Sequence, residues 1–427
     1  MPSSLDSLRA TSNAAVPTRL ARRLGTFEAV TIGLASMIGA GVFAAFGPAA
    51  RAAGNGLVIG LAIAALVAYS NATSSAQLAA MYPESGGTYV YGQKCLGHFW
   101  GFLAGWCFVV GKLASCAAMA MTFGIYAAPS FARPLAIGAV AGLSIVNCFG
   151  VEKTATLTKI IVSLVLLALS VVVASVWLGG ATDASRLWPP EHDATPYGVL
   201  QSAGLLFFAF AGYARLATLS EEVIDPKRTI PRAIPIALGI ALVVYATVAV
   251  SALVGAGAPA IAAAQAPLAA AVEAGQLAWL SPAVRAGAVV ASLGGLLSLM
   301  VGISRTAFAM ASNRDLPMSL SVVHPRSQVP HRAEIAVGVI VAAVTAVADI
   351  RAAIGFSSFA VLVYYALTNA AALTLARCER RCPRALAALG LLGCVVLSLT
   401  LPAVAVVGGT ILLTLGASMY ALRRLTA

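Results

Sequence analysis

Two apolar segments, one in each half of the chain, are interrupted by glycine. The first reads Ala35-Ser-Met-Ile-Gly-Ala-Gly-Val-Phe43, and the second reads Phe207-Phe-Ala-Phe-Ala-Gly-Tyr213. Glycine in a helix interior costs about 1 kcal/mol relative to alanine, and in lipid the freed N–H and C=O groups find no water. Such breaks persist where the open backbone is buried or lines a cavity. A matched pair of interrupted helices therefore predicts a binding site near the midplane of a membrane.

The backbone at such a break can bind both ends of a zwitterion. N–H groups at the start of one half-helix carry partial positive charge, and C=O groups at the end of the other carry partial negative charge. This arrangement suits the carboxylate and ammonium groups of an α-amino acid. The alternative interpretation of the first break is close helix packing through small residues, and that of the second is an aromatic core stripe.

The composition indicates a membrane protein. Of the 427 residues, 60% are hydrophobic and only 10% are charged, which is more apolar than a soluble chain of this length allows. About twelve stretches approach the length of about 20 residues that spans a bilayer. They are 27–46, 56–80, 100–128, 134–150, 156–178, 197–220, 232–255, 283–311, 334–348, 352–376, 385–403 and 406–422.

The positive charges lie mainly on one side of these predicted crossings. They cluster in the N-terminal tail and in alternate loops, at Lys153, Lys227, Arg228, Arg232, Arg314, Arg326, Arg332, Arg377, Arg380, Arg381, Arg384, Arg423 and Arg424. The positive-inside rule then places both termini in the cytoplasm. Residues 1–24 are predicted to be a disordered cytoplasmic tail rather than a signal peptide. The net charge of +12 is thus explained by topology, and no nucleic-acid partner is predicted.

Other classes of protein find little support in the sequence. The seven cysteines and four histidines show no paired spacing typical of zinc sites, so neither a metal nor a cofactor is predicted. An enzyme would need a catalytic constellation at membrane depth, a channel would need polar rings, and an ATP-driven pump would need a phosphate-binding loop. None of these is evident. A transporter-like membrane sensor is the alternative from another class.

Several motifs resemble the amino acid–polyamine–organocation superfamily, in particular its bacterial amino acid permeases. Segments Gly33–Phe43 and Phe207–Arg232 resemble helices 1 and 6 of that family, and Glu221-Glu-Val followed by Asp-Pro-Lys-Arg and Ile-Pro is the most specific signature. Residues 304–317 resemble the end of helix 8. Tyr82-Pro-Glu-Ser-Gly-Gly-Thr-Tyr89 resembles the loop after helix 2. The resemblance covers roughly residues 25–375.

The resemblance implies an all-α integral membrane fold of about 12 transmembrane helices. Helices 1–10 would form a five-plus-five inverted repeat over residues 25–376, with helices 1 and 6 discontinuous. Residues 377–427 would hold helices 11 and 12 and a short cytoplasmic C-terminus. The implied activity is transport of amino acids across the cytoplasmic membrane by alternating access, with lipid as the surroundings and protons as the candidate coupling ion. The sequence favours no particular oligomeric state.

Residue by residue, the resemblance implies a site built mainly from backbone. The substrate carboxylate would lie near the N–H groups of Gly39, Ala40 and Gly41. The amino group would lie near the carbonyls of Met37, Ile38, Phe210 and Ala211, beside Gly212. Phe208 falls where related antiporters carry an aromatic gate over the substrate.

The chain departs from the family at two charged positions. Many relatives carry a lysine inside helix 5, where this chain has Val165, and Lys159 is expected nearer the cytoplasmic interface. Some relatives carry an acidic residue after the helix 6 glycine, where this chain has Ala214 followed by Arg215. The usual proton-coupling groups are therefore missing. Arginine stays charged, so Arg215 is a candidate for gating rather than for proton transfer.

Lys112 is the candidate that replaces them. It lies about 12 residues into the third predicted crossing, about 18 Å deep at 1.5 Å per residue. An ionisable residue at that depth predicts a coupling or gating role, whereas snorkelling or a structural hydrogen bond is the alternative. No acidic residue lies deep in a predicted crossing. Neutral amino acids are therefore the favoured substrates, and a cationic amino acid or polyamine permease or exchanger is the alternative.

Overall fold

The computed structural model describes residues 25–82, 84, 86–149, 155–180, 182–187, 195–213, 223–324 and 329–426. Every regular element in these ranges is a helix. The predicted disordered tail, residues 1–24, lies outside the described residues, and so do Ala214 and Arg215.

Seventeen α-helices, joined by short 3-10 turns, make up the described chain. They are α1 (Thr26–Met37), α2 (Ala40–Ala44), α3 (Phe46–Ala53), α4 (Leu57–Met81), α5 (Thr88–Leu96), α6 (His98–Ala127), α7 (Ala132–Cys148), α8 (Ala155–Leu178), α9 (Pro196–Phe210), α10 (Pro226–Ala256), α11 (Ala258–Ala263), α12 (Pro267–Glu273), α13 (Ser281–Ser312), α14 (His331–Val347), α15 (Ile350–Leu373), α16 (Arg384–Leu399) and α17 (Ala403–Thr426).

Nine helical segments of the described chain are long and apolar enough, by length and composition, to cross a membrane. The predicted stretches 197–220, 334–348 and 385–403 coincide instead with the shorter helices α9, α14 and α16, of 15, 17 and 16 residues. The helical membrane-protein class is thus supported. The count of twelve crossings and the inverted repeat stay predictions.

Large apolar side chains cover the outside of the helices. Leu167, Val243, Val339, Val404 and Leu415 are each more than half exposed. Soluble proteins rarely expose so much contiguous apolar surface. The outer faces of α8, α10, α14 and α17 therefore suit a hydrocarbon environment.

The inside of the protein contains polar contacts between helices. The Asn369 side-chain amide on α15 donates to Asn71 Oδ1 on α4 at 2.6 Å. Asn71 Nδ2 in turn donates to Cys394 Sγ on α16 at 3.2 Å. Hydrogen bonds of this kind join helices where apolar burial alone does not drive association. The three residues therefore fasten α16 to the helices that surround the two breaks.

Candidate functional site

The first predicted break interrupts the helix between Met37 and Ala40. Helix α1 ends at Met37, Ile38 takes ψ 64°, and α2 begins at Ala40. The Gly39 N–H donates to the Met37 carbonyl oxygen at 2.8 Å, so Met37–Gly39 form an inverse γ-turn centred on Ile38 that interrupts the helix. The N–H groups at the start of α2 consequently have no partners further back in a helix.

The second predicted break ends α9 at Phe210. A 3-10 turn, Ala211–Tyr213, follows, and its tighter winding changes the direction of the carbonyl groups. At the first place the described backbone shows the predicted interruption, with a helix on both sides. At the second place α9 ends where the break was predicted, and the residues that follow, 214–222, lie outside the described part of the chain.

The two breaks touch each other at backbone distance. A Cβ atom added to Gly212 would lie 2.0 Å from the Ser36 carbonyl oxygen and 2.7 Å from the Met37 nitrogen. A Cβ atom added to Gly41 would lie 2.8 Å from Ala209 Cα. Only glycine allows such close approach of two backbones. Gly212 and Gly41 thus hold the two interrupted segments together.

Tyr245 on α10 fastens the two broken helices to one another. Its hydroxyl lies 2.6 Å from the Met37 carbonyl oxygen and 3.0 Å from the Ala209 carbonyl oxygen. The Phe210 ring packs edge-on against the Tyr245 ring, with centroids 5.0 Å apart. One buried tyrosine therefore reaches both breaks through its hydroxyl group and its ring.

Lys112 reaches the second break from α6. Its side chain is only 6% exposed, and Nζ donates to the Ala211 carbonyl oxygen at 3.4 Å. The Tyr365 hydroxyl on α15 donates to the same oxygen, also at 3.4 Å. The lysine singled out from its depth in the sequence is therefore buried against a carbonyl of the predicted site.

The other predicted positions are distributed as follows. Phe208 is buried on α9, and the neighbouring Phe207 packs edge-on against Tyr365. Val165 is fully buried on α8. Lys159 is exposed near the start of that helix, with its ammonium 5.4 Å from the centre of the Phe27 ring.

On the α2 side, a cavity of about 510 Å³ opens beyond the breaks. Phe43 and Tyr126 belong to its lining, together with Arg133, Asp349 and Arg351. The Tyr126 hydroxyl donates to the Phe43 carbonyl oxygen at 3.0 Å and accepts from the Leu268 N–H at 3.4 Å. Through these two hydrogen bonds Tyr126 on α6 joins α2 to α12 beside the cavity.

On the opposite side, two of the family-like motifs meet. The Tyr89 hydroxyl donates to Asp315 Oδ2 at 2.6 Å and accepts from Asn313 Nδ2 at 2.9 Å. The His98 ring lies 3.8 Å from the other oxygen of Asp315. The start of α5 and the segment that follows α13 are thereby joined through one buried carboxylate.

Sequence reasoning missed Tyr245, Tyr365 and Tyr126. A tyrosine in an otherwise apolar segment does carry a signal, because a buried hydroxyl usually finds a hydrogen-bond partner. The partner could not be named, since each tyrosine reaches a carbonyl or N–H group that is distant in the sequence. A buried acid, Glu334 on α14, was also missed.

A helical membrane protein in which an interrupted helix touches a second helix at its glycine-containing end has features expected of a secondary transporter. The chain belongs to the amino acid permease family, whose model matches residues 24–422. That family lies within the amino acid–polyamine–organocation superfamily, so the resemblance noted from the motifs is confirmed. Its members are transporters and not enzymes.

Named relatives agree with this assignment. An uncharacterized transporter of Mycobacterium tuberculosis is 57% identical over 410 residues, covering 96% of this chain and 93% of the relative. A branched-chain amino acid permease of Bacillus subtilis is 26% identical, covering 94% of this chain and 92% of the relative. A vacuolar cationic amino acid transporter of Arabidopsis thaliana is 28% identical, covering 78% and 60%.

Proposed function

We propose that this protein moves neutral amino acids across the cytoplasmic membrane by alternating access, with the substrate held between its two broken helices. The observation that carries the proposal is the backbone contact of the two breaks at Gly212 and Gly41. A substrate lying there would touch N–H groups of one break and C=O groups of the other. Transport would then follow from movement of the helices that carry these groups.

The carboxylate end of the substrate would bind at Gly39, Ala40 and Gly41. Helix α2 continues into α3 through Ala45, because the Ala45 N–H bonds to the Gly41 oxygen at 2.9 Å and the Ala49 N–H bonds to the Ala45 oxygen at 3.1 Å. The combined helix is long enough to present a positive N-terminal end at the break. Free N–H groups at such an end favour an anion.

The ammonium end would bind near the carbonyls of Met37, Ile38, Phe210 and Ala211, with Phe208 closing over it. The Met37 oxygen already accepts from Tyr245, and the Ala211 oxygen already accepts from Lys112. A carbonyl oxygen has two lone pairs, so an ammonium group can share it. Competition between the substrate and Lys112 for the Ala211 oxygen gives this lysine its proposed role as a gating cation. Arg215 is proposed to serve the gate on the cytoplasmic side.

Charge favours a neutral amino acid over a diamine or a cationic amino acid. In the described part of the chain, the side chains that contact the breaks include the cation Lys112 and no carboxylate. A second ammonium group on the substrate would therefore meet repulsion without a counter-charge. The relatives include both a branched-chain amino acid permease and a cationic amino acid transporter, so the preference for a neutral substrate rests on the charge at the breaks.

The proposal includes about twelve crossings, both termini in the cytoplasm, and an inverted repeat over residues 25–376. Two facts support it. The breaks fall in the first and sixth of the predicted stretches, and each of the twelve stretches overlaps a helix of the described chain. An odd number of helices in each repeat forces opposite orientations of the two halves.

A ligand screen tests the substrate class. We expect neutral amino acids to raise the thermal unfolding temperature of the purified protein, and to compete for a common site better than putrescine or cadaverine. The reason is the missing counter-charge at the breaks. A diamine that binds more tightly than every neutral amino acid would contradict the charge argument.

A further inference from the structure

A buried carboxylate lies one turn inside α14. The Glu334 side chain is 2% exposed. Ser304 Oγ on α13 donates to Glu334 Oε1, whereas Glu334 Oε2 has no hydrogen-bond partner. Among the residues that the structure describes, no lysine, arginine or histidine lies within ion-pair distance of it. A buried, unpaired carboxylate is costly, and in a membrane protein it indicates a functional site.

Asn147 on α7 completes a three-residue polar site around this carboxylate. It is 3% exposed and its amide faces Glu334. Neither Oδ1 nor Nδ2 makes a hydrogen bond of standard geometry. An amide can turn either atom toward a neighbour. Its nitrogen can donate to a carboxylate, and its oxygen can accept from the O–H of a carboxylic acid.

The three side chains therefore suit both protonation states of Glu334. In the ionised state, Ser304 and the Asn147 nitrogen are donors to the two carboxylate oxygens. In the neutral state, the added proton on Oε2 can be donated to the Asn147 oxygen. Asn147 is thus the described side chain within reach that can serve Oε2 in either state.

Other titratable groups surround the site from each helix packed against α14. Arg305 on α13 is exposed and lies near enough to act on the Glu334 charge. Cys116 on α6 and Cys148 on α7 also lie within electrostatic range of it. On α14 itself, His331 and Arg332 precede Glu334, and the His331 ring contacts that of His324. The 3-10 turn Met318–Ser321, which also packs against α14, carries no titratable side chain.

The site is connected to the breaks by two helices. Cys116 lies one helical turn from Lys112, whose ammonium bonds to the Ala211 oxygen, and it is within electrostatic range of both Lys112 and Glu334. The α13 helix carries Ser304 and also passes the first break, where the Ala291 oxygen lies 3.9 Å from a Cβ added to Gly39. A change in the charge of Glu334 therefore alters the electrostatic environment of two helices, α6 and α13, that border the proposed substrate site.

We propose that Glu334, Ser304 and Asn147 form a proton-binding site, and that Glu334 carries the proton that accompanies the substrate. The Glu334 carboxylate takes a proton from water on one side of the membrane and returns it to water on the other. This inference rests on the proposed function, since it adds a coupling ion to the same transport cycle. Lys112 then acts as a gate and not as the proton carrier.

Purified protein in liposomes that contain a pH-sensitive dye tests the proposal. With the wild-type protein, entry of a labelled neutral amino acid should be accompanied by proton entry. Glu334→Gln, which resembles the protonated acid, should lose both the proton movement and gradient-driven accumulation while retaining amino acid exchange. Glu273→Gln is the matched control, because Glu273 also accepts from a serine, Ser281, but at an exposed position. It should behave as the wild type.

A second variant keeps the test informative if Glu334→Gln does not fold. Ser304→Ala removes a donor to the ionised carboxylate, so it favours the protonated form. The midpoint of the pH dependence of uptake should then move to higher pH. An unchanged midpoint would overturn the proposal.

The outcomes separate this inference from the function on which it rests. Wild-type uptake without proton movement would overturn the proton site while leaving amino acid transport intact. Proton movement that persists in Glu334→Gln would overturn it as well. The absence of any amino acid uptake by the wild-type protein would instead contradict the proposed function.

Discussion

Replacing Gly212 with leucine is expected to abolish amino acid uptake while the protein still inserts into the membrane. A Cβ atom at this position would lie 2.0 Å from the Ser36 carbonyl oxygen, so the turn after α9 could no longer rest against α1. The two halves of the site would separate. Uptake by purified protein in liposomes, together with gel filtration in detergent, measures the two effects. Gly41→Leu, which would strike Ala209, should have the same result.

Gly239→Leu is the matched control for this prediction. Gly239 lies on α10, and a Cβ atom added there has no heavy atom within 4 Å. The substitution introduces the same side chain into a membrane helix without disturbing a contact. It should retain uptake near the wild-type level. Normal uptake by both Gly212→Leu and Gly41→Leu would show that the substrate does not bind at the two breaks.

Replacing Lys112 with alanine should strongly reduce net uptake while substrate binding at equilibrium persists. The substitution removes the donor from the Ala211 carbonyl oxygen, leaving Tyr365 as the remaining described donor. A hydrogen bond to a charged group is worth about 1.5–3 kcal/mol when well formed, and at 3.4 Å the lower value applies, so uptake should fall about tenfold. Liposome uptake gives the rate, and ligand-induced thermal stabilisation gives the binding.

Two further lysine variants show whether a loss of uptake in Lys112→Ala is specific to this position and to its charge. Lys159→Ala should leave uptake unchanged, because Lys159 is exposed near the start of α8 and only approaches the Phe27 ring. Lys112→Arg keeps a fixed positive charge and should keep a pH-dependent rate, since Glu334 is the proposed proton carrier. A flat pH profile in Lys112→Arg would make Lys112 the titrating group. Unchanged uptake in Lys112→Ala would reduce it to a structural residue.

The sequence was sufficient to predict the features that depend on local composition. Long apolar stretches predicted the helices, and glycine at positions 39, 41 and 212 predicted where two of them would be interrupted. The depth of Lys112 in its segment predicted a buried ammonium group. Each of these follows from a property of neighbouring residues, namely apolar length, helix propensity or distance along a helix.

Contacts between distant segments could not be predicted in the same way. Nothing near Tyr245 indicates that its hydroxyl reaches Met37 and Ala209, because helix packing determines that contact. Glu334 was assigned to the edge of a predicted stretch, yet α13 and α7 cover it. The shorter α9, α14 and α16 also fall below the usual spanning length, so the count of crossings depends on tertiary context.

The central claim is that neutral amino acids cross the membrane through the site where the two breaks meet. Counterflow tests it most directly, with purified protein in liposomes preloaded with one unlabelled amino acid and a trace of the same labelled compound outside. We predict that wild-type protein accumulates label from at least one neutral amino acid, that Gly239→Leu does the same, and that Gly212→Leu does not. If the wild-type protein shows no counterflow with any amino acid, although it is stabilised by one, the protein would be a membrane sensor and the account would be contradicted.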